Sequence, residues 1–336
     1  MTVEEALPWL KEHRGELLQS IRDGSYMPSP VRRKEIPKPD GSVRKLGIPT
    51  VVDRVIQQAI AQKLQSIWEP LFSDSSCGYR PKRSAQQAIQ KVKKYAEEGS
   101  PQGGPLSPLL ANIYLNEFDW EMYRRGVKLV RYADDIVVFA KSKHAAERLL
   151  ESCRKHLEGR LKLKMNTEKS KATSIFAQKN FKFLGFCLGK NGRGIFIRVH
   201  RKSLDKAKKT LKLLTKRNRG RNVHRVMQEV KVFIRGWIGY FRVADMKRTL
   251  MSWDEWMRRR FRMYIWKQWK KPRTKVANLR KLGIPADKAY QWGNSRLGYW
   301  RIAGSPVLKC SITNERLAAA GYFSILNYYE SLHLCC

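Results

Sequence analysis

Residues 129–139, LVRYADDIVVF, decide the fold of this chain. Two apolar runs, residues 129–130 and residues 136–139, predict two short strands that form a hairpin with Asp134 and Asp135 at its tip. Neighbouring carboxylates repel each other, and a divalent cation relieves that repulsion. The pattern therefore predicts Mg²⁺ at the tip, where it would bind nucleotide phosphates and support two-metal phosphoryl transfer. The alternative is an ordinary turn, because Asp is common in turns.

A glycine-rich loop, PQGGPLSP at residues 101–108, precedes the hairpin. Gly103 and Gly104 would let the backbone approach a ligand closely, and the Gln102 amide offers both a donor and an acceptor. The alternative is a plain loop that leads into the helix predicted over residues 106–118. The loop by itself therefore leaves both interpretations open.

The composition points to a polyanionic partner. The 336 residues include 68 Lys or Arg and 29 Asp or Glu, a formal net charge of +39. Disorder is excluded because 42% of the residues are hydrophobic. No apolar run reaches the roughly 18 residues that a membrane span needs, so we expect nucleic acid rather than a membrane as partner. Six scattered cysteines without a CxxC pair argue against structural zinc and predict a reducing, cytoplasmic compartment.

Local patterns predict most other elements. Asp40-Gly41 predicts a hairpin turn, and Asp53 is a candidate cap for a helix that reaches Ile67. Residues 84–95 and 145–157 predict helices, and the alternation in residues 181–186 predicts a strand. After residue 200 the periodicity is helical, with Asn222 as a candidate cap. A capping box at residues 252–255 predicts the start of a further helix.

These pieces occur in the order found in the reverse transcriptases encoded by group II introns, also called intron maturases, and the chain closely resembles that family over nearly its whole length. The motifs that carry the resemblance are residues 36–41 (IPKPDG), 44–50 (RKLGIPT), 53–57 (DRVIQ), 78–81 (GYRP), 101–119 (PQGGPLSPLLANIYLNEFD), 131–135 (RYADD), 166–170 (NTEKS), 183–186 (FLGF) and 235–241 (RGWIGYF). Single motifs are moderately specific, whereas the ordered series is highly specific.

The resemblance implies an α+β fold, a right-hand fingers–palm–thumb polymerase with a truncated palm, followed by an all-α maturase/thumb region. It places the fingers and part of the palm in residues 1–100 and the palm with the catalytic hairpin in residues 101–199. The thumb/maturase helices occupy residues 200–272, and a C-terminal extension of that region occupies residues 273–336.

The resemblance also assigns roles to individual residues. Asp134 and Asp135 would be catalytic and would bind Mg²⁺. The residues that would contact the nucleotide or template are Lys38, Arg44, Gln102, Gly103, Gly104, Tyr132 and Lys169. For Lys38 and Arg44 an ordinary solvated charge is an equal alternative. The implied partners are group II intron RNA, an RNA template–DNA primer duplex and dNTPs.

The chain departs from the family at one essential point. These polymerases use a third carboxylate, an Asp on a strand between the GYRP and PQGG motifs. Here no aspartate occurs between Cys77 and Asp119, and several dozen residues are missing between Gly99 and Pro101. Asp119 is a poor substitute because in the family it ends the helix after the loop. We therefore predict that DNA polymerisation is lost or severely reduced.

The basic helices do not share this defect. Residues 201–275 contain 25 Lys or Arg and 5 Asp or Glu, a net charge of +20, which suits the phosphate backbone of RNA. The tryptophans of this region, Trp253, Trp256 and Trp269, are predicted to be mainly core. The candidate RNA-binding residues are Arg258, Arg259, Arg260, Arg262, Lys267, Lys270 and Lys271.

Three hypotheses follow from the sequence. The chain is a reverse transcriptase and maturase, or an RNA-binding maturase that has lost polymerisation, or an unstable relic of a mobile element. An assay of polymerisation separates the first from the second. An assay of splicing assistance separates the second from the third.

Overall fold

The computed structural model describes residues 3–37, 43–96, 108–166, 170–174, 176, 181–192 and 194–334. The chain begins with helices α1 (Val3–Glu12) and α2 (Arg14–Arg22), followed by an antiparallel hairpin of β1 (Arg32–Pro37) and β2 (Val43–Ile48). The predicted hairpin is thus confirmed, and its Asp40-Gly41 turn lies outside the described residues. Helix α3 (Val51–Trp68) follows the hairpin.

The start of α3 differs from the prediction. Thr50, not Asp53, is the N-cap, and its hydroxyl accepts a hydrogen bond from the Asp53 N–H. Asp53 lies in the first turn of α3 and is buried. Its carboxylate accepts hydrogen bonds from the Thr50 hydroxyl, from Tyr26 Oη (2.7 Å) and from the Ser29 N–H (3.3 Å). Asp53 therefore ties α3 to the preceding connector.

The middle of the chain contains the hairpin predicted from residues 129–139. A short 3₁₀ turn (Glu69–Leu71), α4 (Ala85–Ala96) and α5 (Pro108–Arg124) precede it. Strands β3 (Leu129–Tyr132) and β4 (Asp135–Val138) pair antiparallel, with Leu129 opposite Val138 and Tyr132 opposite Asp135. Helix α6 (Lys143–Lys155) follows and ends in a π-helical turn (His156–Arg160).

A short extended segment pairs with the free edge of β3. The Cys77 N–H donates to the Arg131 carbonyl (2.7 Å), and the Arg131 N–H donates to the Ser75 carbonyl (2.8 Å), which forms a parallel bridge. Among the described residues, the six strands form three separate two-stranded sheets. Residues 75–77 thus extend the β3–β4 sheet by one short bridged segment.

The prediction of a strand over residues 181–186 was wrong. Phe183 and Phe186 exchange two backbone hydrogen bonds (3.1 and 2.8 Å) across a two-residue turn. Both turn residues, Leu184 and Gly185, have positive φ values (51° and 85°), the conformation typical of tight hairpin turns. Strand β5 (Phe186–Asn191) begins only after this turn and pairs with β6 (Gly194–Val199).

Nine helices follow β6 in the part of the chain that the structure describes. They are α7 (Arg201–Leu214), α8 (Val223–Phe241), α9 (Lys247–Gln268), α10 (Pro272–Lys281), α11 (Ala286–Gly293), α12 (Tyr299–Ile302), α13 (Pro306–Ser311), α14 (Asn314–Ala319) and α15 (Ile325–Leu334). The predicted cap of α8 is confirmed, because Asn222 Oδ1 accepts a hydrogen bond from the His224 N–H (2.9 Å).

The predicted capping box at residues 252–255 was wrong, because these residues lie inside α9. Asp254 is buried there and accepts hydrogen bonds from three groups near the C-terminus: Tyr322 Oη (2.5 Å), Ser324 Oγ (2.8 Å) and the Ile325 N–H (3.0 Å). The sequence at residues 252–255 resembles a helix start, but its aspartate instead forms a tertiary contact between α9 and the segment before α15.

One buried apolar cluster extends from Cys77 to Tyr329 and joins α4, the β3–β4 and β5–β6 hairpins and the C-terminal helices. It crosses the predicted domain limits at residues 199/200 and 272/273, so the proposed division stays a prediction. A second cluster lies beneath α5 and α6. The core role predicted for the tryptophans is confirmed for Trp253, while Trp256 and Trp269 pack against the cluster partly buried. No helix among the described residues is long and apolar enough to cross a bilayer.

Candidate active site and nucleic-acid interface

The tip of the β3–β4 hairpin presents the two predicted carboxylates. Asp134 is half-buried and Asp135 is exposed. The preceding residue, Ala133, is buried and has a φ of 56°. Residues other than glycine, asparagine and aspartate rarely adopt this conformation, and such strain persists only where neighbouring structure enforces it.

Gly78 packs against the turn and helps to hold Ala133 in this conformation. A Cβ at position 78 would lie 2.0 Å from the Ala133 nitrogen and 2.7 Å from the Tyr132 carbonyl carbon, so only glycine fits against the turn. The Gly78 carbonyl in turn accepts a hydrogen bond from Asn112 Nδ2 (2.7 Å). The GYRP motif therefore supports the hairpin tip directly.

The Arg131 guanidinium forms a buried network of hydrogen bonds beneath the hairpin. This guanidinium and the Asp119 carboxylate are both fully buried and form a bidentate ion pair (Nη2–Oδ2 2.7 Å). The same guanidinium donates to Asn112 Oδ1 (2.6 Å), the Ala133 carbonyl (3.1 Å) and Ser76 Oγ (2.9 Å). Desolvation raises the pKa of Asp119, and the Arg131 hydrogen bonds oppose that shift and keep the carboxylate paired.

These contacts decide what the site can hold. Asp119 is committed to Arg131 inside the protein, so it cannot act as a third metal ligand beside Asp134 and Asp135. Among the described residues, no group of three His, Cys, Asp or Glu side chains is placed to hold a metal ion. Reverse transcriptases as a class use divalent ions, but two carboxylates at this tip do not fit the pair of ions that two-metal transfer requires.

The other predicted nucleotide contacts are only partly visible. Tyr132 is half-buried at the end of β3, with its ring 6.2 Å from that of Tyr79, and burial raises its pKa. Arg44 lies in β2 opposite Ile36. Lys38, Gln102, Gly103, Gly104 and Lys169 lie outside the described residues, so their roles stay predictions.

Two of the seven predicted RNA-binding residues, Arg260 and Arg262, are in the interior, which corrects their prediction as RNA contacts. The Arg260 guanidinium donates to the Thr215 carbonyl (3.1 Å) and the Lys212 carbonyl (3.0 Å) at the end of α7. The Arg262 guanidinium donates to the Ile312 carbonyl (2.7 Å) and Asn314 Oδ1 (2.9 Å). Both side chains satisfy otherwise unpaired groups at helix ends, which makes them structural.

The remaining five cations are accessible to different degrees. Arg258 pairs with Asp254 (3.2 Å), and Arg259 lies over the Trp300 ring (4.1 Å to the centroid). Lys267 lies over the Tyr299 ring (5.4 Å). Lys270 and Lys271 are exposed at the end of α9. The structure thus keeps these five as candidates for contact with phosphates.

Two family profiles match the chain. Residues 86–188 match "Reverse transcriptase (RNA-dependent DNA polymerase)", and residues 204–283 match "Group II intron, maturase-specific domain". Protein YkfC of Escherichia coli is 31% identical over 268 residues, which cover 50% of this chain and 70% of the relative. The group II intron-encoded protein LtrA of Lactococcus lactis is 32% identical over 212 residues, 46% of this chain and 35% of LtrA.

The matched regions define a protein with a reverse transcriptase domain followed by a maturase-specific domain. The chain belongs to the family of group II intron-type reverse transcriptases and maturases, whose enzymatic class is RNA-directed DNA polymerase. The match covers 35% of the length of LtrA, about a third.

The alignments also show a gap in this chain. Half of its 336 residues is about 168, so about 100 of the 268 positions aligned with YkfC have no residue here. The match with LtrA is unbalanced in the same direction, because 46% of this chain is about 155 residues in an alignment of 212, which leaves about 57 positions without a residue here. Both matches agree with an internal deletion.

Proposed function

We propose that this chain acts as an RNA-binding maturase in which the right-hand polymerase layout is incomplete and DNA polymerisation is lost or nearly lost. The observation that carries the proposal is the buried Asp119–Arg131 pair. With Asp119 paired to Arg131, no third His, Cys, Asp or Glu of the described residues joins Asp134 and Asp135 at the hairpin tip, while the basic helices pack around a continuous core. Mg²⁺ at these two carboxylates, and the binding of dNTPs and a template–primer duplex, are the properties we expect to be weakened.

The hairpin itself is well held despite the deletion. Residues 75–77 pair with β3, and Gly78, Asn112 and Arg131 fix the turn from below. The structure at the tip is therefore retained, whereas the carboxylate shared by both ions in the family is missing. Loss of a metal ligand, rather than collapse of the hairpin, is the expected cause of inactivity.

The retained function would be the binding of group II intron RNA in the cytoplasm. Residues 201–275 have a net charge of +20, and the helices that contain them surround a continuous core. Neutralising phosphates releases counterions, so the affinity for RNA should fall steeply with salt. For about six phosphate contacts, the loss between 50 and 200 mM salt is about 10³-fold.

A primer-extension assay with Mg²⁺ tests the proposed loss of polymerisation. We expect product near background for both the natural chain and Asp134→Asn, because the site lacks its third carboxylate in both proteins. Robust synthesis that disappears in Asp134→Asn would overturn this part of the proposal and favour an active reverse transcriptase.

Binding and splicing assays with the RNA that contains the gene test the maturase function. We expect binding with a steep dependence on salt, together with faster or more complete splicing of that RNA. A shallow dependence on salt would contradict the role of the basic face. Binding without any effect on splicing would favour a relic of a mobile element.

A further inference from the structure

Two cavities of about 770 and 540 Å³ adjoin on the surface between α7, α9 and the C-terminal helices. Both are lined by Trp256 and Trp300, so the two indoles lie between them. Their volumes are within the range of about 300–1,000 Å³ that is typical of ligand sites. We call this surface the Trp256–Trp300 groove.

The groove combines aromatic rings with exposed amines. Lys208, Lys209 and Lys212 of α7 line the smaller cavity, and Lys309 of α13 lines the larger one; all four are exposed. The Lys208 amine lies 5.4 Å from the centre of the Trp256 ring. Arrays of this kind bind single-stranded nucleic acid, because bases stack on the rings while the amines contact phosphates.

Trp300 is the most accessible ring of the groove. It is 39% exposed although it lies in a packed helical region, and the Arg259 guanidinium lies over it at 4.1 Å. Arg259 also donates two hydrogen bonds to the Trp300 carbonyl (3.2 and 2.8 Å), which fix the guanidinium and the backbone relative to each other. An exposed indole on a backbone that is held in place is suited to stacking on a base.

The groove also contains acceptors. Glu255 and Glu315 line the larger cavity, and their carboxylate oxygens can accept hydrogen bonds from ribose 2′-hydroxyls. These acceptors favour RNA over DNA. In a duplex, both faces of each base are already stacked, so the groove is suited to unpaired nucleotides.

We propose that the Trp256–Trp300 groove binds unpaired nucleotides of single-stranded RNA, with Trp300 stacking on a base and the lysines of α7 and α13 contacting phosphates. This inference rests on the proposed RNA-binding function and assigns it a specific site. The groove joins the maturase-specific segment to residues beyond it, since α12 and α13 follow the matched region that ends at residue 283.

The first experiment measures fluorescence anisotropy of a short labelled oligouridine and of an RNA duplex of equal length. Trp300→Ala should weaken oligouridine binding by about 5- to 150-fold, the effect of losing one stacked base. Trp300→Phe should retain most of the affinity because a ring remains. The control Tyr290→Ala removes a 69% exposed ring from α11 and should change neither affinity by more than about twofold.

Several results would contradict the proposed role of the groove. One is an equal oligouridine affinity of Trp300→Ala and the natural chain; another is an equal loss of affinity for oligouridine and for the duplex in Trp300→Ala. Oligodeoxythymidine bound as tightly, with the same dependence on Trp300, would exclude RNA as the specific occupant. Displacement by polyglutamate as efficient as by oligouridine would indicate an acidic peptide instead.

A second comparison does not depend on the ring. The triple variant Lys208→Gln/Lys209→Gln/Lys212→Gln should reduce the slope of log affinity against log salt by about 2–3, about one unit per phosphate contact. The matched variant Lys202→Gln/Lys206→Gln/Lys216→Gln removes the same charge from exposed lysines of α7 and the turn after it that do not line the groove. It should reduce the slope by less than about 1. Equal changes in slope would overturn the proposal.

The two levels of failure are distinguishable. If the chain binds structured intron RNA with a steep salt dependence but Trp300→Ala has no effect on oligouridine, only the groove is wrong. If neither RNA binds at low salt, the proposed maturase function itself fails. Thermal unfolding of each variant checks that the protein remains folded.

Discussion

Residues 3–71 and residues 201–334 are both mainly helical, yet they differ in how much of the chain they bury. Among the described residues, the N-terminal stretch buries only Ala6 and Asp53, whereas the C-terminal stretch buries 32 residues. Helix α3 leaves Val55, Ile60 and Ile67 exposed at 44–59%. Helical periodicity therefore specifies a helix in both regions, but only the second supplies the surfaces that cover its apolar faces.

The net charge also differs between the N-terminal and C-terminal regions. Residues 3–71 contain 11 Lys or Arg and 9 Asp or Glu, a net charge of +2, against +20 for residues 201–275. The basic surface thus lies on the part of the chain with the more complete core. Because the missing segment is predicted between Gly99 and Pro101, on the N-terminal side of the hairpin, we infer that the deletion removed packing partners of the first region and left the basic helical region intact.

The largest expected effect is a loss of stability in the C-terminal core. Phe261 is 1% exposed and packs edge-on against Tyr322. Phe261→Ala should lower the free energy of unfolding by about 3–5 kcal/mol, as measured by urea denaturation. The matched truncation Ile60→Ala in α3 should change it by less than about 0.5 kcal/mol. Similar losses in both variants would contradict the difference between the regions.

A smaller effect is expected where α9 contacts the C-terminus. Asp254→Ala would remove the carboxylate that accepts hydrogen bonds from Tyr322 Oη, Ser324 Oγ and the Ile325 N–H. We expect a loss of about 1–3 kcal/mol in the free energy of unfolding. Asp205→Ala, which removes an exposed carboxylate of α7, is the control and should change stability by less than about 0.5 kcal/mol.

The N-terminal region should be sensitive to acid through its buried carboxylate. Hydrogen bonds from Thr50 and Tyr26 hold the pKa of Asp53 below its ordinary value. Its contribution is therefore present above the unfolded pKa of about 3.9 and is lost as pH falls through the folded pKa. Amide exchange across residues 26–37 and 43–53, corrected for intrinsic rates, should accelerate below about pH 4. An identical pH dependence in Asp53→Asn would exclude this carboxylate as the cause.

The smallest effects concern single exposed cations. Lys270→Gln and Lys271→Gln should each reduce the salt slope of RNA binding by about 1, with little change in stability. Lys11→Gln and Arg14→Gln in the N-terminal region serve as charge-matched controls and should leave the slope nearly unchanged. Equal reductions in both regions would show that RNA binding depends on total charge rather than on the helical region.

Several features could be predicted from the sequence because they depend on local pattern. The hairpin at residues 129–139, the β1–β2 hairpin and the Asn222 cap all arise from contacts within a few residues. The support of the hairpin was not predicted, because Ser76, Gly78, Asn112 and Asp119 are distant from Arg131 in sequence. A charged residue within an otherwise apolar strand was the one available signal for that buried pair.

The sequence by itself determined the family, the +39 charge and the absence of an aspartate between Cys77 and Asp119, because motif order and composition require no coordinates. Only the tertiary structure decided which arginines of α9 are interior. Arg260 and Arg262 donate to groups that are 45 to 52 residues away in sequence. The helical periodicity of α9 contains no information about such distant acceptors. Likewise, Trp256 and Trp300 form one groove only because α9 and α12 pack together, which the local spacing of either residue cannot indicate.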